Sequence, residues 1–173
     1  MFLIILLSCL HKMPLMNVMV PPIPLYRSTE NGERLYVEAD LGSGGPYYFL
    51  VDTGASISAI RPDIVQSMGL NAKRKDGYLQ GVSGVSPWIE ATVPSVAIGN
   101  QKFRQVDFAV GVSGIPEYAG LVPIAGVIGN NVWQEFIVEI DYGKETLRLH
   151  NEFEMPESSQ SVAFNGQHIL AEA

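Results

Sequence analysis

Asp52, Thr53 and Gly54 follow directly on the apolar run Tyr47-Tyr48-Phe49-Leu50-Val51. A carboxylate set beside apolar groups is costly to bury unless it is hydrogen-bonded or shares a proton. Placed on the tip of a rigid strand, such a carboxyl is a candidate for general acid–base work. The residues around it suit a tight, close-packed loop. Thr53 is small enough to be buried, and Gly54 permits backbone angles and close approach that a side chain would block. Other chemistries find no footing. His11, His150 and His168 are scattered without metal-ligand spacing, and no glycine-rich phosphate loop with a following Lys is present. No metal and no cofactor are expected.

The elements that must position Asp52 follow from periodicity. Residues 34–41 alternate and read as a strand, 42–46 as a turn and 47–51 as the return strand, so 34–51 is a predicted hairpin. Residues 56–60 read as a further short strand and 61–69 as a short helix. Pro62 suits its first position, Asp63 its positive end and Gly69 its stop. Residues 78–80 and 88–93 flank the loop Gly81-Val82-Ser83-Gly84-Val85-Ser86-Pro87, which suggests a long hairpin. Residues 96–98 and 103–110 make another hairpin, and 111–124 a loop rich in Gly and Pro. Gly126 to Gly129 is a short apolar strand, after which Asn130 or Asn131 can cap a short helix through Phe136. Residues 137–141 and 146–150 form a last hairpin. The whole is predicted to be mainly β with one or two short helices.

The bulk numbers bound this picture. The chain has 173 residues, 47% hydrophobic and 17% charged, which is enough for one domain with a proper core. Its 17 Gly and 11 Pro suit many short strands joined by turns. A net charge of -7 argues against nucleic acid or an anionic membrane surface as partner. Cys9 is the single cysteine, so no internal disulfide framework exists. Residues 1–12 hold the apolar run Phe2 to Leu7, too short to span a bilayer. They fit the apolar region of a secretion signal, although no Lys or Arg precedes it, or a core-packed segment. Leu6-Leu7-Ser8-Cys9 also resembles a bacterial lipobox, with Cys9 lipidated. Export to the cell envelope and a cytoplasmic location both stay open, and membrane contact is expected only through this N-terminus. Residues 13–30, with Pro14, Pro21, Pro22 and Pro24, read as an extended linker. Residues 151–173 form a tail. Within it Asn165 to Ala173 lines up weakly with Asn31 to Ala39, either as two unrelated strands or as the start of a second copy of the domain.

Residues 31–150 resemble, in order, the retropepsin-like single-lobe aspartic proteases of bacterial type. Asp52-Thr53-Gly54-Ala55-Ser56 resembles that family's active-site loop. Val127-Ile128-Gly129 resembles its second signature, which packs beside the loop, and the hairpin around Gly81, Val82, Ser83 and Gly84 sits where the family has its flap. Gly129-Asn130-Asn131-Val132-Trp133 and Phe136 to Tyr142 are similar to bacterial members. The resemblance implies an all-β closed barrel of the acid-protease type, with one or two short helices and a flap hairpin. It also implies an aspartic endopeptidase acting on extended polypeptide.

Cleaving a peptide with water needs a base to activate the water and an acid to protonate the leaving group. Two carboxyls about 3 Å apart do both, because they do not both ionise easily and share one proton. Their titration then belongs to the pair. The chain holds one Asp-Thr-Gly; Asp141-Tyr142-Gly143 has the wrong middle residue and sits in a predicted hairpin turn. One chain therefore supplies half a site. The second carboxyl is expected from a homodimer with its two-fold axis through paired Asp52 side chains, or from a second lobe of a longer parent. The resemblance gives Thr53 a hydroxyl bond across the two loops. Ser56 stands where retroviral members have Asp, and it matches cellular and bacterial relatives. The flap is expected to close over substrate and exclude water. Trp88 packs either on the substrate or simply within the hairpin. The competing expectation is a non-catalytic dimerising or peptide-binding module of the same fold.

Overall fold

Runs of alternating or continuous apolar residues, punctuated by Gly and Pro, make most of this chain extended. The structure, a computed structural model, describes residues 3–6, 20–29, 33–81, 84–151, 163–164 and 169–170. In chain order the strands are β1 (Leu3–Leu6), β2 (Ile23–Ser28), β3 (Arg34–Ala39), β4 (Tyr47–Val51), β5 (Ser58–Ile60), β6 (Lys73–Gly81) and β7 (Gly84–Ile98). They continue with β8 (Gln101–Val110), β9 (Tyr118–Ala119), β10 (Val122–Ile128), β11 (Ile137–Asp141), β12 (Thr146–His150), β13 (Ala163–Phe164) and β14 (Ile169–Leu170). Two short helices, α1 (Pro62–Ser67) and α2 (Asn130–Trp133), follow β5 and β10.

Twelve strands form one sheet, in the order β1-β11-β12-β2-β3-β4-β10-β5-β8-β7-β6, with β9 attached to β10. The all-β architecture expected from the sequence is therefore present, but the expected closed barrel is not. The ladder runs open from β1 to β6. One isolated bridge joins its two halves, where Asp40 and Ala97 exchange backbone hydrogen bonds of 2.9 and 2.8 Å. The physical reason lies in β7. It spends its first half pairing β6 and its second half pairing β8, so only its last turn reaches the end of β3.

Three boundaries differ from the sequence expectation. Within the predicted linker 13–30, residues 23–28 instead form β2, whose Leu25, Tyr26 and Arg27 pair with β3. Two apolar positions there, Ile23 and Leu25, are buried, and that burial outweighs the local proline signal. The predicted separate strand 96–98 is the continuation of β7, and the predicted loop 111–124 contains β9 and the start of β10. Cys9, Val82, Ser83 and most of the 165–173 stretch lie outside the described residues.

Strand register sorts the side chains onto two faces. Phe49, Ile60, Phe108 and Ile128 are fully buried on the core side, with Phe49 and Phe108 rings 5.9 Å apart. The residues between them face the other way. Leu50 pairs with Val127, Val127 with Ala59, Ala59 with Ala109, Ala109 with Glu90 and Glu90 with Lys73. Residues paired across strands share a face, so these six make one row across the sheet, away from the main core. A second apolar cluster of Tyr36, Ala119 and Ile124, flanked by Tyr26, Tyr48 and Leu50, covers one end of this face.

Candidate active site

β4 delivers Asp52. The backbone ladder runs one bond past the strand, with the Asp52 N–H donating to the Ile128 carbonyl at 3.1 Å. By strand period Asp52 shares the face of Leu50. The chain then turns sharply. The Gly54 and Ala55 N–H groups donate to Asp52 Oδ1 at 2.9 and 3.1 Å, an Asx-type turn that fixes the carboxyl. A Cβ on Gly54 would stand 3.3 Å from that same oxygen. Among the described residues, Asp52 Oδ2 has no hydrogen-bond or ion-pair partner. Asp52, Thr53 and Ala55 are half-buried, while Gly54 and Ser56 are exposed. The Thr53 hydroxyl likewise finds no partner within the chain among the described residues.

β10 carries the second signature into this loop. It runs parallel to β4 on one side and antiparallel to β5 on the other, so it passes between the two arms of the Asp52 loop. That threading requires glycine. A Cβ at Gly126 would lie 1.9 Å from the Ala59 carbonyl oxygen, and one at Gly129 would lie 2.8 Å from the Ala55 and Ile57 carbonyl oxygens. Beyond Gly129 the Asn130 N–H donates to the Ala55 carbonyl at 2.7 Å, tying α2 to the loop. Val127 is half-buried in the outward row, and Ile128 is fully buried in the core.

Asn131 does not cap α2, as the sequence had suggested; Gly129 stands at the N-cap without a side-chain bond. Asn131 Oδ1 instead accepts from both the N–H and the Oγ–H of Ser58 at 2.7 Å, and its Nδ2 donates to the Asp107 carbonyl at 2.9 Å. The Ser58 Oγ in turn accepts from the Gly129 N–H at 2.9 Å. Ser58 is fully buried, so this network satisfies polar groups that would otherwise be stranded. Sequence reasoning missed Ser58, Asn131 and Gly126. Ser58 and Asn131 lie 73 positions apart, and no local pattern announces their bond.

Asp141 offers a direct comparison. Its Oδ1 accepts from the Gly143 and Lys144 N–H groups at 3.0 Å each, the same turn as at Asp52. Its Oδ2, however, is held by the Lys144 ammonium at 3.0 Å. That bond and the turn N–H groups hold the Asp141 carboxyl below the usual carboxylate range. The carboxylate is fully engaged at its hairpin turn. Asp52 alone of the two keeps an oxygen free.

The flap arms are β6 and β7, with Gly81 and Gly84 facing one another at the outer end of the ladder and both exposed. Trp88 lies half-buried on the β7 arm, and its indole N–H is buried without a partner among the described residues. The other tryptophan, Trp133, donates its indole N–H to the Ile128 carbonyl at 3.1 Å, so it belongs to the packing behind the loop. Clefts open on the surface among the described residues. One of about 430 Å³ lies between Arg61, Asp63 and the 111–117 loop, and one of about 310 Å³ beside β6; Asp52 lines neither. Among the described residues no group of three or more His, Cys, Asp or Glu side chains is placed to hold a metal ion.

Comparison with known proteins agrees with this fold. The crystal structure of a retropepsin-like aspartic protease from Rickettsia conorii is similar to this chain, with 23% sequence identity and a TM-score of 0.55 over 79% of this chain and 96% of that one. No curated protein matches. A family model described as aspartyl protease matches residues 37–132, more than half of the chain, and runs from the end of β3 through the Asp52 loop, the flap arms and the Val127-Ile128-Gly129 signature. The chain belongs to the aspartyl protease family.

Proposed function

We propose that this chain is an aspartic endopeptidase in which two Asp52 carboxyls, one from each protomer of a homodimer, activate a water for attack on an extended peptide. The observation that carries this reading is the state of Asp52. One oxygen is fixed by two backbone N–H groups, the other is unengaged among the described residues, and the residue is half-buried at the end of β4. A carboxyl held in this way is oriented without being neutralised by a cation, which is what a shared-proton pair needs. The unpartnered Thr53 hydroxyl beside it supports a partner loop at the same place. One carboxylate of the pair, ionised, takes a proton from water as the other, protonated, donates toward the substrate carbonyl, and the roles reverse as the amine leaves. Ser56, exposed at the loop's end, and the arms around Gly81, Gly84 and Trp88 then face the substrate.

Cleavage of a peptide library by the full chain from pH 3 to 7, run beside Asp52→Asn and with sedimentation of both proteins, tests this. The expected result is cleavage by a dimeric wild type and loss by at least about three orders of magnitude in a variant that still dimerises. A folded dimer that cuts nothing would instead favour a peptide-binding module of the same fold. A monomer that cuts nothing would point to a second lobe.

A further inference from the structure

We propose that Asn131 is a positioning residue of the active site. Its side-chain amide fixes the start of α2, and the start of α2 fixes the Asp52 carboxyl through Ala55. The inference rests on the protease reading given above and adds to it a residue that acts on Asp52 only through others.

The loop that carries Asp52 is tied to the end of β10 and the start of α2 at its entrance, its turn and its exit. At the entrance the Asp52 N–H donates to the Ile128 carbonyl at 3.1 Å. At the turn the Ala55 carbonyl accepts from the Asn130 N–H at 2.7 Å. At the exit the Ser58 Oγ accepts from the Gly129 N–H at 2.9 Å. Ala55 is the link to the carboxyl. Its N–H donates to Asp52 Oδ1 at 3.1 Å while its carbonyl is held by Asn130. A shift of the first turn of α2 therefore moves Ala55, and with it one of the two donors that orient Asp52.

Asn131 sets where that turn sits. Its Oδ1 accepts from the N–H and the Oγ–H of Ser58 at 2.7 Å each, and its Nδ2 donates to the Asp107 carbonyl at 2.9 Å. Ser58 opens β5 and pairs in a parallel ladder with Phe108 of β8, the residue after Asp107. The amide thus stands against two parallel strands as a peptide group would, with an acceptor toward β5 and a donor toward β8. A turned amide would set donor against donor at Ser58 and oxygen against oxygen at Asp107, so only one orientation fits. These bonds hold a helix of four residues that has no side-chain cap of its own. A helix that short is not stable by itself, so its place depends on what grips it. Ser58 is fully buried, and any displacement of Asn131 strands its polar groups without water.

The test uses the full chain as a dimer. Asn131→Asp keeps the shape but turns a carboxylate oxygen toward the Asp107 carbonyl. Ser58→Ala is milder: it removes one bond to Asn131 and the acceptor of Gly129, and keeps the residue 58 N–H. Both are expected to lower kcat for one cleavable peptide roughly 10- to 100-fold with KM changed by less than about twofold, the signature of a small misplacement of a reacting group. Ile98→Val thins the core at the far end of β7, and is expected to lower the melting temperature without that loss of kcat. Exchange of the Ala55 and Asn130 amide hydrogens reads the link without catalysis. Ser58→Ala is expected to speed it by at least about tenfold while exchange in β12 is unchanged. If Asn131→Asp does not fold, Ser58→Ala decides alone. A wild type that cuts nothing, with exchange faster in Ser58→Ala as expected, would sink the protease reading and keep the positioning. Unchanged kcat, a change confined to KM, or a kcat that falls as far in Ile98→Val as in Ser58→Ala would overturn the positioning. Unchanged exchange at Ala55 and Asn130 would overturn it as well.

Discussion

Asp52 and Asp141 show how alike two turn carboxylates can be and still differ in what engages them. Both end a strand, both accept two N–H groups of the following turn, and both precede a glycine whose absent side chain leaves 3.3 Å to the carboxylate oxygen. The difference is one lysine. Lys144 neutralises Asp141, whereas Ala55 at the equivalent turn position leaves Asp52 free. The Asp52 turn was legible from local sequence, since Asp followed by a small residue and Gly is turn chemistry. The Ser58–Asn131 network behind it was not, because its bonds cross between β5 and α2. Gly129 marks how tightly that region is packed. Gly129→Ala places a methyl 2.8 Å from two backbone carbonyl oxygens that have no freedom to retreat. It is expected to destabilise the fold by about 1–3 kcal/mol, read as a fall in urea midpoint, and to lower cleavage further by displacing the Asp52 loop.

At the scale of elements, the joint between β5, α1 and the loop before β10 is held by Arg61. Its guanidinium grips Asp63 through two bonds of 3.0 and 2.8 Å and donates to the Glu117 and Ile124 carbonyls at 3.3 Å. The fork holds the Asp63 carboxyl below its usual range. A carboxyl whose folded pKa is depressed adds stability above its unfolded pKa, about 3.9, and that stability is lost as pH falls through the folded value. Asp63 is largely exposed, so the amount is small, a few tenths of a kcal/mol to about 1. Asp63→Asn is therefore expected to melt slightly lower than wild type at pH 6 and to converge with it once the pH has fallen below the depressed folded value. Melting curves compared across that window check it; a gap that stays constant with pH would refute the assignment. The sequence read Asp63 as the acid at the helix start. That Arg61 would fork onto it and also reach Glu117 depends on where the 111–124 segment folds back, which local periodicity does not encode.

The whole molecule is a long, open sheet drawn nearly into a ring. One bridge, Asp40 to Ala97, carries the seam, so its backbone bonds are few compared with the ladders on either side. Ala97→Pro removes the N–H that bonds Asp40 while the ladder of β7 with β8 persists around it. It is expected to cost about 1–2 kcal/mol and to speed hydrogen exchange at Asp40 and its neighbours before that of β8. Equal protection in variant and wild type would show that the seam contributes nothing. The sequence by itself determined the all-β class, the hairpins β3–β4 and β11–β12, α1, the Asp52 loop and the family. Each of these depends on neighbours a few residues apart: strand alternation, turn glycines, a proline at a helix start. Only the tertiary structure decided that β10 threads between β4 and β5, that Gly126 and Gly129 admit no side chain, and that Ser58 and Asn131 lock behind the loop. Those facts depend on register between strands distant in sequence. Register is set by the burial of one whole face at once, so no stretch of the sequence read alone contains it.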